Sequence, residues 1–204
     1  MGSVLKRAGW IFLAALFIVT GLGVGIVGFW QATHTNNNQS QTQTAQNQAP
    51  TCTNDPSIQF NSPIGSEKLA GAKLSDFTPV AHAPALNCTD VKVGSGGQAV
   101  SSSSSITANY TGAVASTGVI FQSSLDNNGQ PFTSGLSSVI PGWQQGLLGM
   151  RAGGERRLLI PSALAYGATG SCQIQDSKNP AKCDVYAINP NTDLVFDITV
   201  LAVQ

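Results

Sequence analysis

The sequence predicts an α+β domain in which an antiparallel sheet wraps one short helix, preceded by a single transmembrane helix and a disordered linker. Three observations carry this reading. Short β-rich runs separated by turn clusters fill the C-terminal half, and a brief helical pattern opening at Pro141 interrupts them. An uncharged apolar run from Trp10 to Trp30 stands apart at the N-terminus. A sheet with one apolar face must bury it, and a single short helix is the partner available, which gives an α+β unit of about 110 residues.

Taken in order, residues 1–9 carry Lys6 and Arg7 and read as a cytoplasmic N-terminus. The run 10–30, WIFLAALFIVTGLGVGIVGFW, holds no charge. At ~1.5 Å rise per residue its ~21 residues span roughly 31 Å, matching the hydrocarbon core of a bilayer. A tryptophan at each end fits the interfacial belt, and the basic residues ahead of the run place everything after it outside the cytoplasm. We read it as an uncleaved signal anchor, making the chain a single-pass membrane protein with its domain at the cell surface or in a periplasm. The alternative, a cleaved signal peptide, needs a shorter apolar region and a small-x-small site, whereas bulky Trp30 precedes Ala32 here. Gly21 and Gly25 form a GxxxG that the glycine content of the run already explains.

Residues 31–56 are polar and aperiodic and form a flexible linker. Residues 57–92 regain apolar side chains among Pro and Gly and read as an ordered extension laid against the domain at 93–204. Within that domain, 106–112 alternates with Ile106, Ala108 and Tyr110 on one face, and 119–124 is β-rich. DNNGQP, 126–131, is a turn rather than a calcium loop, since the later acidic ligands are missing. Pro141 begins a helix in which Trp143 and Leu147 share a face. Residues 155–161 and 193–203 are strands. In the last, Leu194, Phe196, Ile198 and Val200 line one side, opposite Val195, Asp197, Thr199 and Leu201.

Charged residues are only 10% of the chain and sum to zero net charge, against ~25% in an average soluble protein. No basic field exists to attract nucleic acid. The four cysteines follow the apolar run, which fits disulfides in an oxidising compartment. Of three pairings, Cys52 with Cys88 and Cys172 with Cys183 join residues that flank common stretches. A zinc site is the rival, but no CxxC exists and the histidines are only His34 and His82. Both histidines read as surface residues without chemistry. Asn38, Asn87 and Asn109 open N-x-S/T triplets, which matter only in a glycosylating host.

VIPGWQQGLLGM, GGERRLLIP, AYGATG and LVFDITVL, with NYTG and GVIFQSS upstream, occur in the order and approximate spacing of the FKBP-type peptidyl-prolyl cis-trans isomerases. From about Val91 to Gln204 the chain resembles that family. The resemblance implies a curved antiparallel sheet around a short helix, with an apolar pocket between them. Trp143 would form the pocket floor under a substrate proline ring, while Tyr110, Phe121, Val139, Ile140, Tyr166 and Phe196 would line the walls. Phe132 and Ile188 would complete them, and the Ile140 amide and Tyr166 hydroxyl would hydrogen-bond the substrate backbone. No cofactor or metal is implied. The partners would be X–Pro segments of unfolded or folding polypeptides, and macrolides of the tacrolimus or rapamycin type.

Two departures from the family stand out. Gln122 follows Phe121 where the family usually has Asp, which removes a charge from the substrate-binding rim. The loop after AYGATG is longer by roughly a dozen residues, SCQIQDSKNPAKCDVYA, and reads as a disulfide-stapled flap over the pocket rim. The function implied is prolyl isomerisation during folding of exported proteins. The alternatives are a chaperone-like module that binds proline segments with weak or no turnover, and a scaffold using 57–92 as a contact surface.

Overall fold

The computed structural model describes residues 48–62, 68–175, 179 and 183–204. The apolar run 10–30 and most of the linker lie outside the described residues. Among the described residues, no helix is long and apolar enough to cross a membrane.

The elements follow the chain as β1 (Thr53–Asn54), β2 (Asn87–Lys92), β3 (Ser105–Val114), β4 (Ile120–Ser123), β5 (Phe132–Gly135), helix α1 (Pro141–Gly146), β6 (Glu155–Ile160), β7 (Ser171–Gln175), β8 (Cys183–Ile188) and β9 (Leu194–Val203). In space the sheet runs β1-β2-β6-β9-β3-β4, with β5 also on β3, while β7 and β8 form a separate hairpin. The period-two pattern of β9 decides the two faces. Leu194, Phe196, Ile198 and Val200 are fully buried toward α1, and Val195 joins a second cluster with Leu69, Leu74, Ala113 and Ile120.

Helix α1 sits close to β6 because its glycines leave room. A Cβ on Gly142 would strike Ile160, and one on Gly146 would meet Leu158 Cδ1 at 2.7 Å. A helix this short leaves carbonyls unpaired at its end. Arg156 answers them from the sheet, donating through Nη1 to the Gly146 and Leu148 carbonyls at 2.6 and 3.3 Å. Its Nε and Nη2 donate to the two carboxylate oxygens of Asp90 at 2.7 and 3.1 Å.

Arg157 points to the opposite face. Its Nε and Nη2 donate to Asp197 Oδ1 and Oδ2 at 2.6 and 2.8 Å, and Nη2 also reaches the Ser75 carbonyl at 2.8 Å. Nη1 donates to the Asp76 carbonyl. The rings of Phe60 and Phe77 lie 5.9 and 5.7 Å from the guanidinium carbon. Arg157 and Asp197 are therefore a buried pair whose remaining donors are used by the segment before β2.

The described residues of that segment are hydrogen-bonded onto the domain. Ala72 and Leu74 hydrogen-bond with β4 and the turn before it: Ile120 N to Ala72 O at 2.9 Å, and Leu74 N to Gly118 O at 2.8 Å. Asp126 accepts the Leu69 and Ala70 amides at 2.7 and 2.9 Å, so the acid in DNNGQP serves as an anchor for this strap. The Asn128-Gly129 turn takes positive φ at both residues, 52° and 68°. β2 then pairs with β6, placing residues 87–92 inside the sheet. The strap's Leu69 and Leu74 face its own sheet, which leaves the scaffold reading without those side chains.

Two expectations about the sheet need correction. It is mixed, because β1 runs parallel to β2 through Thr53↔Thr89 and Asn54↔Asp90. The segment 53–54, expected in the linker, is held there by the Cys52–Cys88 disulfide. The second disulfide joins Cys172 to Cys183. These are the two pairs chosen from the sequence. The stretch containing the latter, expected as a loop, folds as the β7–β8 hairpin.

Candidate active site

Between the sheet and α1 the structure gathers aromatic rings from five segments. Trp143, on α1, is fully buried and meets Phe196 of β9 edge-on, with centroids 5.4 Å apart and planes at 87°. Tyr110 of β3 stands perpendicular to Trp143 at 5.6 Å and to Phe132 of β5 at 5.9 Å. Phe132 also meets Trp143 at 6.0 Å, and Phe121 of β4 meets Phe196 at 5.8 Å. Edge-to-face contacts of this kind are favoured by the ring quadrupoles, so the cluster is rigid as well as apolar.

Each of these residues is there for a local reason. Tyr110 and Phe196 lie on inward positions of adjacent strands, in the registers Tyr110↔Ile198 and Gly112↔Phe196. Gly112 is the residue sequence reasoning missed. A Cβ there would lie 2.6 Å from Phe196 Cε1 and 2.7 Å from Phe121 Cζ, so its absence lets those rings meet. The glycine of NYTG was visible in the sequence, but its purpose depends on two rings more than eight residues away.

Val139 and Ile140 lead into α1, and both are buried in the same core as Ile188, at the end of β8. Ile140 holds an extended backbone, φ −57° and ψ 147°, ahead of Pro141. Its N–H meets no acceptor among the described residues, as is usual just ahead of a helix. Tyr166 follows a short 3-10 turn, Ser162–Leu164, and packs half-buried against the core. Burial pushes the hydroxyl of Tyr110 well above its ordinary pKa, with a further push from Tyr166, and burial alone does the same to Tyr166. Both phenols are thus neutral donors at physiological pH.

Gln122 follows Phe121 on β4, opposite Gly112. Its side-chain oxygen is buried and accepts no hydrogen bond among the described residues. His82, expected to be a plain surface residue, has an exposed ring but places Nδ1 2.8 Å from Asp193 Oδ2. Among the described residues no cluster of His, Cys, Asp or Glu could hold a metal ion.

The site therefore brings Tyr110, Phe121, Phe132, Val139, Ile140, Trp143, Tyr166, Ile188 and Phe196 into one apolar cluster. It offers hydrogen-bond donors and an apolar surface in place of a nucleophile with its base. Such an arrangement, on an α+β scaffold, can hold an apolar group and select its shape without covalent chemistry.

The sequence pattern of the FKBP-type peptidyl-prolyl cis-trans isomerases matches residues 96–201, just over half of the chain, and the chain belongs to that family. It is 39% identical over 97 residues to the peptidyl-prolyl cis-trans isomerase FPR2 of Saccharomyces cerevisiae, covering 47% of this chain and 62% of that one. It is 38% identical over 116 residues to an FK506-binding protein of Neisseria meningitidis, covering 56% and 92%. The isomerase FkpA of Escherichia coli is 36% identical over 108 residues, covering 53% and 34%. The crystal structure of that protein aligns with a TM-score of 0.48 at 35% identity, over 58% of this chain and 48% of the other. The chain thus spans less than two thirds of the yeast relative and about a third of the Escherichia coli one.

Proposed function

We propose that this chain catalyses cis-trans isomerisation of X–Pro bonds in unfolded or folding polypeptides outside the cytoplasm, held at a membrane by Trp10–Trp30. The observation that carries the proposal is the set of perpendicular rings around Trp143, with no acid–base pair among them. Rotation of an X–Pro bond breaks no covalent bond, yet faces a barrier of ~18–20 kcal/mol. In the twisted transition state amide resonance is lost and the carbonyl carries less negative charge. Water favours the planar, more dipolar ground state, so a dry aromatic site that accepts the twisted amide lowers the barrier.

In this reading Trp143 is the floor under the proline ring, and Tyr110, Phe121, Phe132, Val139, Ile188 and Phe196 are walls. The Ile140 amide and Tyr166 hydroxyl fix the substrate backbone. The two disulfides support a location in an oxidising compartment. The similarity to a protein named for FK506 binding supports a macrolide as a competing ligand.

The test is a peptide assay on the full chain, with isomerisation followed by NMR exchange on an X–Pro peptide. Acceleration that a macrolide abolishes is expected. Binding of the peptide with no acceleration would instead support the second reading, a proline-segment binding module. That reading is favoured by one observation, the neutral Gln122 with its buried, unpartnered oxygen.

A further inference from the structure

We propose that Asp193 is a positioning residue for the substrate-facing Tyr166, and that the His82–Ala83 corner of the strap is part of the same device. The proposal rests on the isomerase reading, in which the Tyr166 hydroxyl donates to substrate.

Asp193 stands immediately before β9 and is buried, while its carboxylate takes donors from two distant segments. Oδ1 accepts the Ser162 amide at 2.7 Å. Oδ2 accepts the Ala83 amide at 2.7 Å and faces His82 Nδ1 at 2.8 Å. A carboxylate only accepts, so His82 bonds it through a protonated Nδ1. The Asp193 carbonyl takes a further amide, that of Ala115 at 2.9 Å.

Ser162 passes this fixation on. Its carbonyl accepts the Ala165 amide at 2.9 Å and the Gly167 amide at 2.8 Å, the residues on either side of Tyr166. The Tyr166 backbone therefore hangs from Ser162, and Ser162 is held by Asp193. The other end of the turn is closed by Gly170 N to Tyr166 O at 3.1 Å and Asn191 N to Gly167 O at 2.8 Å. Asn191 lies two residues before Asp193, so one short stretch braces both ends of the Tyr166 turn.

A buried aspartate can also serve stability alone, and the two roles are separable by coupling. On the full chain, Asp193→Ala is expected to lower kcat/KM about ten-fold, the scale at which slight misplacement of a site group is felt. In a Tyr166→Phe background, which lacks the hydroxyl to be placed, the same substitution should cost less than about two-fold. Asp193→Asn, which keeps the size and one acceptor, should give an intermediate loss in a chain that still folds. His82→Ala should lower kcat/KM a few-fold, and His82→Asn should restore it, because the Asn side-chain amide can stand in for Nδ1–H. Losses from Asp193 and Tyr166 that simply multiply would overturn the proposal.

A second readout is independent of turnover. In protein labelled with 3-fluorotyrosine, Asp193→Asn should shift the fluorine resonance of Tyr166 and leave that of Tyr186, on the hairpin, in place. If the parent chain accelerates no peptide, the isomerase reading fails, while this shift still decides the positioning. An unmoved Tyr166 resonance would overturn it.

Discussion

Trp143 and Phe196 meet edge to face with centroids 5.4 Å apart, one carried by helix α1 and the other by the central strand β9. This contact joins the two layers of the fold at the centre of the proposed site. In the proposed reading, catalysis and stability share Trp143 and separate at the rim.

Trp143→Ala should abolish the acceleration of X–Pro exchange and destabilise the fold by about 3–5 kcal/mol, since it empties a fully enclosed volume. Phe121 is only half-buried, so Phe121→Ala should lower kcat/KM strongly while moving the denaturant midpoint much less. Paired chemical denaturation and peptide kinetics check the split. Equal stability losses at the two positions would contradict it.

Gly112→Ala adds one methyl group between Phe121 and Phe196. Overpacking of this kind costs about 1–3 kcal/mol. Because the clash falls on two rings of the proposed site, KM for an X–Pro peptide should rise even where the protein stays folded. Gly153, by contrast, has positive φ and faces open space, so Gly153→Ala should strain the backbone and leave KM unchanged.

Removing Asp197 leaves Arg157 buried among carbonyls and two aromatic rings with its countercharge gone. Loss of one partner of such a pair costs about 3–5 kcal/mol. Asp197→Ala should therefore lower stability on that scale, and hydrogen exchange should rise first in the strap around Ser75 and Asp76, whose carbonyls Arg157 also holds. Protection unchanged in the strap would refute this link.

Burial works against ionisation of Asp193, but the Ala83 and Ser162 amides and His82 outweigh it and hold the carboxyl below its ordinary value. A depressed folded-state value gives stability that is present above the unfolded value, about pH 4, and lost as pH falls through the folded one. Asp193→Asn should therefore flatten the acid limb of the stability profile below about pH 4. Melting temperatures from pH 7 to pH 2 measure this, and an unaltered limb would count against it.

Reduction should act unequally on the two disulfides. Cys172–Cys183 lies on an exposed hairpin, whereas Cys88 is buried on β2, beside β6 in the sheet. Mild thiol treatment followed by peptide mapping should find Cys172 and Cys183 alkylated first. Replacing Cys52 and Cys88 by Ser should cost roughly 4 kcal/mol, from the 36-residue separation they close on the chain-entropy estimate.

What the sequence determined by itself is the part that local chemistry encodes. The alternation in 193–203 assigned Phe196 to the core face, Pro141 started the helix, and Asn128-Gly129 marked the turn, each from a few neighbouring residues. The ordered blocks around Trp143 also carried the family and named residues that the fold gathers into one apolar cluster. Only the tertiary structure decided where polar and glycine residues belong. Arg157 and Asp197 find each other and their carbonyl partners only when β6 pairs with β9 and the strap covers them. Gly112, Asp193 and the parallel edge strand Thr53–Asn54 were hidden for the same reason. An apolar side chain favours burial whatever covers it, but a charge, or a missing Cβ, acquires its role from one particular partner that folding brings from far along the chain.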